Sequence, residues 1–133
     1  MTQKDKELLL KDICSRLPYG VKVNNEIQGD FEIYGICENF VFGRNETCHI
    51  DFDVEKIKPY LFPLSSMTEE QKREYNKWKH EVPVCHYEYG DVVEEIELYD
   101  SPESFEYLIE NHFDYRGLIP KGLAKDATGL NIY

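Results

Sequence analysis

The sequence predicts an α+β fold, a small antiparallel sheet of four to six strands with about three helices, in a single domain. Three observations lead there. Apolar residues recur at helical spacing in separate stretches, each opened by a hydroxyl side chain suited to capping. From Gly20 to Val54 the period drops to two, with Asn, Gly and Asp at the breaks. The chain has 133 residues, 41% of them hydrophobic, with ten Tyr, seven Phe and one Trp to fill a core. That is one domain's worth at roughly 100 to 200 residues each. It is also enough to bury roughly two thirds of the unfolded surface without a disulfide or metal staple.

The first helix is expected from Thr2, whose hydroxyl can cap the opening amides, with acidic Asp5 in the first turn. Leu9, Ile13 and Leu17, with Leu10 and Cys14 beside them, form its apolar stripe. Pro18 ends it, because the residue before a proline is pushed out of the helical region. Val21 and Val23, then Phe31, Ile33 and Gly35, then Phe40 to Phe42, then Cys48, Ile50, Phe52 and Val54 read as short strands of a meander. Lys58 to Pro63 reads as an irregular apolar connector over an edge or end of the sheet, since Pro59 and Pro63 suit neither a helix nor a central strand.

A second helix starts at Ser66 or Thr68, either of which makes a capping box with Glu69 or Gln71. Its thin stripe of Met67, Tyr75, Trp78 and Val82 places it on the periphery. Val84 to Tyr89 and Val92 to Tyr99 alternate as strands, although Val92, Val93, Ile96 and Tyr99 also suit a helix. Ser101-Pro102-Glu103 opens the third helix, with Phe105, Leu108, Ile109 and His112 on one face. This helix and the first are expected to cover one face of the sheet. The domain is expected over 1–125, with 126–133 as a C-terminal tail.

Charge restricts the partners. Fifteen Lys and Arg stand against 26 Asp and Glu, a net charge of −11 with a pI near 4.8. Direct nucleic-acid binding relies on Lys and Arg at the phosphates, and attraction to an anionic membrane relies on the same residues, so neither is expected. No stretch approaches the ~20 apolar residues of a membrane span or the core of a signal peptide, which points to the cytoplasm. Cys14, Cys37, Cys48 and Cys85 are then expected as free thiols, largely buried as small hydrophobes.

The stretch His112-Phe113-Asp114-Tyr115-Arg116-Gly117-Leu118-Ile119, followed by Lys121-Gly122-Leu123-Ala124, resembles the C-terminal signature of a widespread family of small proteins encoded by gut Bacteroidales and their bacteriophages. Lys58-Pro59-Tyr60-Leu61 with Ser65-Ser66-Met67-Thr68-Glu69-Glu70 is similar to that family as well. The two motifs fall in roughly the second half of the chain. The resemblance implies a phage or mobile-element accessory protein acting in the bacterial cytoplasm, and it implies no mechanism.

The chain contains no phosphate loop, dinucleotide fingerprint, G-x-S-x-G elbow or C-x-x-C pair. The densest group of functional side chains is His112, Asp114, Tyr115 and Arg116. An imidazole, a carboxylate, a phenol and a guanidinium at a helix end could hold a small anionic or planar ligand. The competing reading is structural, with Arg116 paired to Asp114 or another acid and Phe113 and Tyr115 in the core. His49, Asp51 and Asp53 leave one face of a strand and could bind a divalent metal that activates water. Cys48-His49 and Cys85-His86 do not make a zinc site easily, since adjacent strand residues point to opposite faces.

The expectation is therefore a non-catalytic binding protein, without a metal or cofactor. It would act as an accessory or counter-defence factor that occupies a host protein with a basic surface or a small signalling ligand. Aromatic richness also suits a homodimer interface. The alternative is a small metal-dependent hydrolase using His49, Asp51 and Asp53.

Overall fold

Thr2 does cap the first helix. In the computed structural model, which describes residues 1–133, its hydroxyl accepts from the Asp5 amide at 3.1 Å while the Asp5 carboxylate accepts from the Thr2 amide at 3.4 Å. Helix α1 spans Gln3–Arg16, and a 3-10 turn over Leu17–Tyr19 follows, with Pro18 inside it. Gly20 ends the turn at a φ of 73°, which a glycine adopts without strain.

The period-two region forms strands β1 (Lys22–Asn25), β2 (Gly29–Cys37), β3 (Phe40–Arg44) and β4 (His49–Asp53). They pair consecutively as an antiparallel meander. Val23 lies opposite Phe31 and Val41 opposite Phe52, so these side chains share the face that packs on Leu9 and Ile13 of α1. The register slips between Ile33 and Gly35. This bulge moves Ile36 opposite Val41 on the core face and leaves Gly35 opposite Phe42 on the other. A Cβ on Gly43 would stand 3.0 Å from that of Phe31, so glycine lets the two strands close over the aromatic ring.

The connector expected at Lys58–Pro63 is instead an interior strand. Strand β5 (Lys58–Leu61) pairs antiparallel with β1, Val23 opposite Pro59. It then pairs parallel with the two-residue β8 (Lys125–Asp126). The sheet order is β4-β3-β2-β1-β5-β8, antiparallel except for the last pair. Each neighbour uses only two residues of β5, so one missing proline amide removes little of the ladder. The 126–133 stretch is likewise tied down rather than loose: the Ala127 amide donates to the Leu61 carbonyl at 2.8 Å, and the Tyr133 hydroxyl lies 2.9 Å from the Tyr60 carbonyl.

These elements form one compact unit, Met1–Ser66 with Ile109–Tyr133; Met67–Leu108 forms a second. In the second, α2 (Glu69–Lys77) is capped by Thr68 and Gln71 and buries none of its side chains, as its thin stripe predicts. Strands β6 (His80–Glu88) and β7 (Asp91–Tyr99) pair as a separate two-stranded sheet. Helix α3 (Pro102–Glu110) begins after Ser101, whose hydroxyl accepts from the Ser104 amide at 3.0 Å. The architecture is α+β, with three helices and eight strands.

Candidate functional site

The His112–Arg116 cluster is assembled by a turn and by α1. His112 takes a φ of 61°, which turns the chain sharply beyond α3. A parallel bridge follows: the Phe62 amide donates to the His112 carbonyl and the Asp114 amide to the Phe62 carbonyl, both at 2.8 Å. Asp114 is buried and spends its carboxylate on the backbone, accepting from the Leu118 and Ile119 amides at 2.8 Å each. It therefore fixes the following turn. Arg116 does not pair with it; its Nε donates to Asp12 at 3.1 Å, and its guanidinium lies 4.8 Å from the Tyr115 ring centroid.

Asp12 and Arg16 are the residues that sequence reasoning missed. Both are fully buried, and Arg16 donates to Asp12 through Nε at 2.9 Å and Nη2 at 3.2 Å. Arg16 Nη2 also donates to the Phe113 carbonyl at 2.6 Å. One carboxylate thus holds two guanidinium groups and ties α1 to the 109–116 segment. The signal was available: Leu9, Asp12, Ile13 and Arg16 fall at i, i+3, i+4 and i+7, one face of a helix. Choosing Leu9, Ile13 and Leu17 as the stripe rotated that face away from them.

His112 is buried and stacks on the Tyr133 ring, centroids 3.7 Å apart and planes 10° from parallel. Its Nδ1 is buried without a hydrogen-bond partner. Burial, then the positive charges of Arg16 and Lys22, push its pKa down to about 4, so the ring is neutral near pH 7. His112, Asp114 and Arg116 are thus brought together and engaged by the protein itself.

His49, Asp51 and Asp53 do leave one face of β4, as their spacing predicts, but His49 and Asp53 are put to other uses and Asp51 is exposed. His49 stands edge-on to Tyr34 at 5.6 Å, and Asp53 accepts from the Glu55 amide at 3.0 Å, capping the next turn. No three His, Cys, Asp or Glu side chains converge around a point that could hold an ion. The four cysteines are free, but the expectation that they are largely buried is overturned: Cys14, Cys37 and Cys85 are exposed and Cys48 is half-buried. Cys14 points away from the Leu9–Arg16 face, and Cys85 lies on the hairpin, where almost nothing is covered.

That hairpin is the most unusual surface of the molecule. Tyr89 and Gly90 form its turn, both at positive φ, 50° and 85°, as a type I′ turn requires. All nine residues of each strand are paired, from His80 opposite Tyr99 to Glu88 opposite Asp91. Opposite residues share a face, so Pro83, Cys85, Tyr87, Val92, Ile96 and Leu98 lie together on one side, with Glu81 and Glu94 among them. Tyr87, Ile96 and Val92 are 82, 69 and 61% exposed. The other face carries Glu88, Asp91, Glu95 and Glu97 with His80, His86, Tyr99, Val82, Val84 and Val93. Six carboxylates and no Lys or Arg stand between His80 and Tyr99.

No helix is long and apolar enough to cross a membrane. No family model, curated protein or solved structure matches the chain.

Proposed function

We propose that the chain is a non-catalytic binding protein whose β6–β7 hairpin occupies a basic, partly apolar surface of another protein. One observation underlies this reading: the hairpin exposes Tyr87, Val92 and Ile96 beside six carboxylates, with no Lys or Arg of its own. Contiguous apolar side chains rimmed by charge mark interaction surfaces. Carboxylates around them steer association towards cationic partners and repel acidic ones. A two-stranded ribbon is marginal by itself in water, so a partner that covers it also stabilises it.

The resemblance of the 58–70 and 112–124 stretches supports an accessory or counter-defence role in the bacterial cytoplasm, of phage or mobile-element origin. Host enzymes that bind nucleic acid present basic surfaces of the required kind. A small signalling ligand held by His112, Asp114, Tyr115 and Arg116 is the weaker reading, because Asp114 already spends both carboxylate oxygens on the backbone and Arg116 its Nε on Asp12.

Capture from a Bacteroidales lysate, comparing wild type with the double variant Tyr87→Ser/Ile96→Ser, tests the proposal. The expected result is a protein retained by wild type, released by moderate salt and lost in the variant. An identical captured set for both proteins, or nothing retained by wild type at low salt, rules the hairpin out.

A further inference from the structure

We infer that the free edge of β7 takes up an extended segment of the partner as a third strand, one in which Lys or Arg alternates with apolar residues. The inference rests on the reading of the hairpin as the binding element and specifies how the partner is read. The β6–β7 sheet has only two strands, so the outer edge of each has no strand beside it. Beyond the ladder itself, neither strand's backbone hydrogen-bonds to any other backbone group. Such rows of unpaired amides and carbonyls template the addition of another strand.

The two edges are not equivalent. β6 carries Pro83, which has no amide to offer, whereas β7 runs from Asp91 to Tyr99 without a proline. The faces of β7 differ: Asp91, Glu95 and Glu97 lie on one with Val93 and Tyr99, and Val92, Ile96 and Leu98 on the other, interrupted by Glu94. A strand laid beside it presents its side chains alternately to the same two faces. Lysine or arginine on the first face meets carboxylates, and aliphatic residues on the second extend the apolar surface. A second copy of this chain suits the edge poorly, because its own β7 brings Asp91, Glu95 and Glu97 onto the face that already holds them.

The test uses the whole protein and an end-capped nine-residue peptide alternating Lys and Val, with binding read by fluorescence anisotropy. Three comparison peptides separate strand addition from simple charge attraction. One has the same composition with all Lys before all Val; the other two are N-methylated on every Lys or on every Val. Only alternate residues of an added strand turn their amides towards β7, so one methylated peptide should lose at least tenfold in affinity and the other little. The block peptide should also bind at least tenfold more weakly, and Glu95→Lys/Glu97→Lys should abolish binding while the melting temperature stays within a few degrees.

Equal binding of the alternating and block peptides, or equal tolerance of both methylation patterns, overturns the inference in favour of diffuse electrostatics. No binding of the alternating peptide overturns it as well. The lysate comparison of Tyr87→Ser/Ile96→Ser then still decides whether the hairpin binds a partner in another way.

Discussion

Two stretches of the chain alternate apolar and polar residues with the same period, and they meet opposite fates. In β1 to β3, Val23, Phe31, Ile33 and Val41 are at most 2% exposed beneath α1. In β6 and β7, no residue is buried. The second unit also carries 12 of the 26 acidic residues and only four of the 15 basic ones, so most of the net charge of −11 sits with the uncovered strands. Alternation specifies a strand with two chemically different faces. Whether one face is covered depends on what the rest of the fold supplies, and here the sheet received a helix while the hairpin did not.

Removing the Asp12 carboxylate should show the contrast at its largest. Asp12→Ala leaves Arg16 buried without its counter-ion, and breaking a buried pair in this way costs about 3–5 kcal/mol. That lowers the melting temperature by roughly ten degrees or more. Urea unfolding followed by circular dichroism measures it; a loss below ~1 kcal/mol would show that the pair does not hold the first unit together. The alternating peptide should still bind at a temperature where the variant is folded.

His112 gives the first unit a pH dependence. Its pKa is about 4 when folded, against an ordinary value of 6.5. The unfolded chain therefore binds the proton more readily, and this contribution to stability is complete above pH 6.5 and lost progressively down to pH 4. The size is about 3 kcal/mol. His112→Asn removes the titration and keeps a residue that tolerates positive φ. Wild type should lose stability relative to the variant as the pH falls from 7 to 4, and parallel curves would contradict the assignment.

Arg116→Ala removes one of two guanidinium groups from Asp12 and leaves the other, so the loss should be smaller, about 1.5–3 kcal/mol by chemical unfolding. Arg116→Lys should recover part of it. Smallest of all, Tyr87→Ser and Ile96→Ser should each change stability by about 0.5 kcal/mol or less, since both side chains are in water. A large loss from either would mean that the hairpin face is covered after all.

What the sequence made legible was local. Thr2 with Asp5 and Thr68 with Gln71 are capping pairs three residues apart, and both form as read. β1 to β4 follow from alternation between turn residues. β5 is not legible in its own residues because its neighbours are set by distant pairing: β1 on one side and a two-residue strand from the far end of the unit on the other. A proline rule applied to six residues carries no information about that. A helical face chosen by counting hydrophobes alone places Cys14 inside and leaves out Asp12 and Arg16. The acid that engages Arg116 lies 104 positions away, beyond the reach of spacing arguments.

The parallel pairing of β5 with β8 also orders events in time. β5 is synthesised before the second unit and β8 after it, so the sheet cannot close its last pair until the whole intervening excursion has left the ribosome. The hairpin depends only on a two-residue turn and neighbours in sequence, and such ribbons form in ~1–10 μs. The pairing of β6 with β7 is thus complete in sequence while the six-stranded sheet still lacks its last pair.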